Sequence, residues 1–146
     1  MAVQARSTSS LLGSAIIAGI IGGIIVDSFL SISHHISPIV LWTGMAETVA
    51  GLGSPWWIGV IVHAITSIVW AVLYLYVVSA IGQLKNWLVV GIAWGLIVNG
   101  VMTLIVSLKT GAPWGSVFMT DVLGTAVFYA LPMAFYLARA SRAVAT

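Results

Sequence analysis

The chain has 146 residues, of which 61% are hydrophobic and 5% charged, a formal net charge of +2 and a mean hydropathy of +1.16. A soluble domain carries about a quarter of its residues charged, so this composition excludes a water-covered surface and requires one that faces lipid. The lack of cysteine excludes disulfides, thiolate catalysis and Cys-ligated metal sites, and the basic residues are too scattered to grip phosphates, so nucleic acid is not an expected partner.

In chain order, the apolar residues come in long runs rather than in the alternation of a β-barrel. A helix needs about 20 such residues to cross a bilayer. Leu11 to Ser33 qualifies first. It follows Arg6, but it is longer than the apolar core of a signal peptide and no clear A-x-A cleavage signal follows, so it reads as a retained span. The stretch from Ile36 to Gly53 is broken by Ser37-Pro38, Gly44, Glu47, Gly51 and Gly53. It is too short and interrupted for a clean span and reads as an interfacial helix or a shallow re-entrant segment. Three more runs qualify: Trp56 to Ile81, Trp87 to Leu108, and Gly115 to Ala138. Pro132 falls late in the last and should kink that helix or loosen one backbone bond. The fold class is therefore an all-α membrane protein, a four-helix transmembrane bundle in a single domain spanning residues 1–146, with the lipid bilayer as its first partner.

Arg6, Lys85, Arg139 and Arg142 fall on one side of such a bundle and Lys109 on the other. Basic residues gather on the cytoplasmic side, so both termini are expected in the cytoplasm of a multi-pass cell-membrane protein. Trp56, Trp57, Trp87 and Trp114 lie at span ends, where amphipathic rings favour the headgroup layer, and Tyr74, Tyr76, Tyr129 and Tyr136 lie toward the cytoplasmic ends of their spans. Trp70 and Trp94 lie inside spans and read as packing residues.

The two halves of the chain look alike. Gly19-x3-Gly23-x3-Asp27 in the first span matches Gly91-x3-Gly95-x3-Asn99 in the third, 72 positions on. Pro55-Trp56, eight residues before His63, matches Pro113-Trp114, eight before Asp121, 58 positions on. The bundle thus reads as two repeated helical hairpins related by an axis along the membrane normal, with the extra residues of the first half in the Ile36 to Gly53 loop. The GxxxG faces allow close backbone approach inside lipid, and they predict that spans 1 and 3 cross near the bundle centre.

This register places Asp27, His63, Asn99 and Asp121 at matching positions. At 1.5 Å per residue they lie roughly 9 to 14 Å inside the outer ends of their spans. His34, His35 and Glu47 lie on the same outer rim, so every acidic residue and every histidine falls in the outer half or its loops. An ionised carboxylate facing lipid costs at least a few kcal/mol, so Asp27 and Asp121 must be paired, protonated or wet. The expected arrangement sets His63 between Asp27 and Asp121, with Asn99 supplying hydrogen bonds. Such a cluster serves as interhelical glue, as a proton or cation pathway, or as a metal site built on His63, Asp27 and Asp121. Haem ligated by His63 with His34 or His35 is disfavoured because the latter two are much shallower. No serine or cysteine nucleophile accompanies the carboxylate–histidine pair, which disfavours hydrolysis. His34-His35 alone also reads as an ordinary loop feature, and no cofactor is specified.

The run Pro55-Trp56-Trp57-Ile58-Gly59-Val60-Ile61-Val62-His63, followed by Tyr74, together with the Gly-rich stretch Gly19 to Gly23, resembles a pattern in small prokaryotic four-helix membrane proteins of unknown function, the YagU-like group and related uncharacterised families. The resemblance covers most of the chain. It implies a bacterial or archaeal membrane protein and supplies no activity. Small loops and short connections leave little room for an enclosed cavity, so a non-enzymatic subunit or scaffold of a membrane complex, self-associated or joined to other membrane subunits, is the first functional expectation. A small transporter or ion-conducting protein using Asp27, His63, Asn99 and Asp121 is the alternative, and a metal- or haem-binding redox subunit the third.

Overall fold

The computed structural model describes residues 10–144; Arg6 lies outside them. Among the described residues, four helical runs are long and apolar enough to cross a membrane: Leu12–Ser33, Trp56–Ala80, Leu84–Thr110 and Asp121–Ala143. No strand occurs among the described residues. The protein is an all-α, multi-pass membrane protein built on a four-helix bundle.

The elements are α1 (Leu12–Ser33), α2 (Pro38–Ala50), α3 (Trp56–Ala80), α4 (Trp87–Thr110), α5 (Trp114–Leu123) and α6 (Leu131–Val144). A 3-10 turn, Leu84–Asn86, leads into α4, and a π-helical segment, Gly124–Ala130, joins α5 to α6 into one rod that forms the fourth span. This rod continues past Ala138 to Val144, because Arg139, Ser141 and Arg142 extend the helix beyond its apolar part. The wide π turns stand immediately before Pro132. A proline has no N–H to give the carbonyl four residues back and its ring presses on that carbonyl, so the loosened backbone expected there takes the form of a π segment.

Local signals set the ends of the elements. His35 closes α1 with φ of 55°, and the Ile36 amide donates back to the Ser31 carbonyl at 3.0 Å. That left-handed position after a helix is usually glycine; histidine is among the side chains that tolerate it. Ser37 then caps α2 by accepting the Val40 amide, with Pro38 in the first turn, where its missing N–H costs nothing. The segment expected to be interfacial or re-entrant is thus a 13-residue helix.

α1 sits between α3 and the fourth span, and the fourth span sits between α1 and α4. α1 and α4 do not pack along one another, so the predicted central crossing of spans 1 and 3 is not what forms. Each glycine face is taken by the other helix of its own hairpin. A methyl built on Gly19 would lie 2.7 Å from the Ser67 carbonyl oxygen of α3, and one on Gly23 2.9 Å from Ser67 Oγ. One on Gly95 would lie 2.5 Å from the Ala126 Cα, and one on Gly91 3.0 Å from the Ala134 Cβ. The reason is complementarity: Ala126, Ala130 and Ala134 give the fourth span its own small-residue stripe, and small faces meeting small faces bring backbones closest. The seam between the hairpins runs instead between α1 and the fourth span, where Phe29 stacks on Phe128 with ring centroids 4.0 Å apart.

The registers of the two hairpins also differ. Gly19 meets Ser67 and Ile68, whereas it is Gly95, not Gly91, that meets Thr125 and Ala126, 58 positions on. The second hairpin is therefore one helical turn out of step with the Gly19–Gly91 match. Asn99 stands against Thr125 as Gly23 stands against Ser67.

The remaining pair, α3 and α4, touches little along its length. Trp94 of α4 meets Trp70 and Tyr74 of α3 edge-on, with centroids 6.0 and 5.8 Å apart. Beyond this aromatic contact the two helices part toward the end of the bundle that carries α2. α2 lies against α3 over the parted region. Gly59 permits this, because a Cβ there would collide with the Trp42 carbonyl. The far end of α2 is tied to α4 by Lys109, whose Nζ donates to the Thr48 carbonyl at 2.9 Å. Thr48 belongs to the last turn of α2, whose carbonyls lack helical partners and attract a cation.

Candidate functional site

The parting of α3 and α4 leaves a cavity of about 510 Å³, open in part. α1, α2, α3, α4 and the fourth span all line it, and Trp70 stands at its floor beside Trp94. The expectation of little room concerned an enclosed cavity; the one that forms is open in part. That expectation assumed parallel rods in mutual contact, and a wedge between two of them under a bridging helix creates the space.

His34, His63, Asn99 and Asp121 line this cavity together. Asp27 does not reach it. It stands behind His63, buried between α1, α2 and α3, with Oδ1 3.2 Å from His63 Nε2. Its Oδ2 accepts the indole N–H of Trp42 at 3.0 Å. His63 Nε2 also lies 3.3 Å from Ser67 Oγ, one turn along α3. Asp27 thus joins α1 to α2 and α3 through two side chains.

His63 does not stand between the two aspartates. Asp121 instead faces His34, with Oδ1 and Nε2 3.8 Å apart. The Schellman-type turn at His35 ends α1 one residue beyond His34 and keeps that imidazole on the last helical turn, level with Asp121. This second pair is open, with side chains 37% and 42% exposed, against 20% and 12% for His63 and Asp27. The cluster expected as one unit is therefore two carboxylate–histidine pairs. Among the described residues no three of His, Asp, Glu or Cys gather closely enough to hold a metal ion, so His63, Asp27 and Asp121 do not form the metal set considered from the sequence.

Asn99 is tied to the fourth span at both ends of its amide. Its Nδ2 donates to the Phe118 carbonyl at 3.0 Å, and its Oδ1 accepts the Thr125 hydroxyl at 3.3 Å. Two rim residues have local duties: His35 occupies the left-handed turn, and Glu47 Oε1 accepts the Gly53 amide at 3.1 Å, closing the loop after α2. Gly19, Gly23, Gly91 and Gly95 each stand close against the other helix of their own hairpin.

Several contributors were not anticipated. Trp42 orients Asp27; Ser67, Thr103, Thr125 and Tyr129 add hydroxyls to the cavity wall. Tyr129 is itself held, donating to the Ser67 carbonyl at 2.6 Å. Ser67 and Thr125 each lie one helical turn beyond His63 and Asp121, so extending the Pro-Trp match by four residues would have found both. Trp42 carries no such signal, since nothing in its local sequence points it at residue 27.

The arrangement is a largely apolar cavity with hydroxyls and an amide on its walls, one imidazole fixed by a buried carboxylate, and one carboxylate left loosely held. No protein-family model, curated protein or solved structure matches the chain.

Proposed function

We propose that the protein is a small membrane transporter that takes a solute into the cavity between α3 and α4. The observation that carries this reading is the cavity itself: about 510 Å³, with polar side chains from every span converging on apolar walls. Small-molecule sites have this size and this mixture, and ionisable groups inside a membrane are expensive to keep without a use. A non-catalytic subunit or scaffold needs neither an open cavity nor a half-exposed carboxylate in it. A redox subunit would need a ligand set that the separated pairs do not supply.

Lys85, Arg139 and Arg142 belong to the end of the bundle opposite α2, and Lys109 to the α2 end. By the distribution of basic residues both termini face the cytoplasm, the protein lies in the cell membrane, and the cavity loads from outside. α2 then covers the loading mouth, held by Trp42 to Asp27 and by Lys109 to its own last turn. The likeness to small prokaryotic four-helix membrane proteins agrees with this layout and adds no substrate.

The chain has no cysteine, so a single one reports cleanly. Met102→Cys, on the cavity wall, should react with a membrane-impermeant methanethiosulfonate added to the outer face of right-side-out vesicles. Protection from the outside reagent with reaction from the inside would reverse the orientation; no reaction from either side would end the proposal. Native mass spectrometry of gently extracted protein addresses the scaffold reading. The protein should emerge alone or as a homo-oligomer, and a stoichiometric set of other polypeptides would favour a subunit role.

A further inference from the structure

We propose that the solute is a small organic cation with an apolar body, and that Asp121 is its counter-ion. This rests on the reading of the cavity as a solute site and names the class of solute. Asp121 is the one carboxylate on the cavity wall, and no lysine or arginine is among the lining residues. Asp27 is not available: it sits behind His63, with Trp42 on its other oxygen. The Asp121–His34 separation of 3.8 Å is longer than a hydrogen bond, so the carboxylate can accept an ammonium group without breaking a strong bond. Attraction between charges is greater beside apolar walls than in bulk water. Trp70 presents aromatic surface to the same space, which suits a cation's alkyl groups and its charge alike. An anion would meet Asp121 with only the imidazoles of His34 and His63, and no lysine or arginine, in compensation. A bare metal ion needs several ligands at once, and no three such side chains converge among the described residues.

An isosteric pair isolates the charge. Benzyltrimethylammonium and neopentylbenzene have the same shape and differ by one positive charge; phenylacetate supplies the opposite sign. Binding of each to the full chain is measured by calorimetry in nanodiscs of a galactolipid, which has no amine headgroup, with empty nanodiscs subtracted. The expected result is that the cation binds at least about tenfold more tightly than either competitor, and that Asp121→Asn removes that advantage. Equal binding of cation and isostere, or an unchanged preference in Asp121→Asn, overturns the cation inference while the solute cavity stands. Binding of none of the three overturns both. In phosphatidylcholine nanodiscs the cation should bind with the same affinity; a drop of tenfold or more would mean that the quaternary ammonium recognised is the lipid headgroup, which overturns a free solute as the occupant.

Discussion

Asp27 and Asp121 both stand beside a histidine in the half of the bundle that carries α2, yet they are built differently. Asp27 is enclosed by three helices, and its two oxygens face His63 and Trp42 at 3.2 and 3.0 Å. Asp121 looks into the cavity at a His34 that is 3.8 Å away, and both side chains are more than a third exposed. A carboxylate with two close partners and little water is a structural joint, because removing it strands the groups that it satisfied. A carboxylate with one loose partner contributes little to stability and is free to do something else. The same residue types, one pair within the first hairpin and one bridging the two hairpins, thus divide into a fastening and an available group.

The comparison can be broken by substitution, taking stability as free energy of unfolding in mixed micelles. Asp27→Ala should have the largest effect, a loss of about 2 kcal/mol, since it leaves the part-buried Trp42 indole N–H without its acceptor and His63 without its facing carboxylate. A loss no larger than that of Asp121→Ala would end the distinction. Trp42→Phe should cost about 1 kcal/mol, the worth of one hydrogen bond to a charged acceptor offset by retained ring packing. It should also raise the reactivity of Met102→Cys severalfold, because α2 loses its tie to α1. Asp121→Asn should change stability by less than about 0.5 kcal/mol, in keeping with an exposed pair. Lys109→Met is the mildest. It removes one exposed contact to the last turn of α2, costs a few tenths of a kcal/mol by the helix-terminus effect, and should speed labelling of Met102→Cys from the α2 end without lowering the unfolding midpoint measurably.

Much of the site was legible residue by residue. Asp27, His63, Asn99 and Asp121 stood out because a polar side chain inside an apolar run is costly wherever it points, and His34 because it shares their end of the bundle. Their grouping was not legible. The sequence register set Gly91 against Gly19, but packing put Gly95 opposite the site where Gly19 would be expected to have its counterpart, one turn away. A slide of one turn keeps the same helix face inward, so periodicity cannot detect it. It carries Asn99 to Thr125 and leaves Asp27 without a polar counterpart on α4 at the same level except Thr103, which is buried there.

What the sequence determined by itself is everything that follows from transfer between water and lipid: four spans, the polar half, the small-residue faces and the loosened turn at Pro132. These depend on one residue and its near neighbours along the chain. Only the tertiary structure decided which glycine face met which helix, that α3 and α4 part, that α2 bridges the gap, and that Trp42 reaches Asp27 while Asp121 is left to His34. In lipid every helix is already satisfied along its backbone, and the apolar surround favours no particular neighbour. Partner choice then rests on close fit between surfaces remote in sequence, such as Gly95 against Ala126 and Gly59 against the Trp42 carbonyl, and that fit exists only once the helices have met.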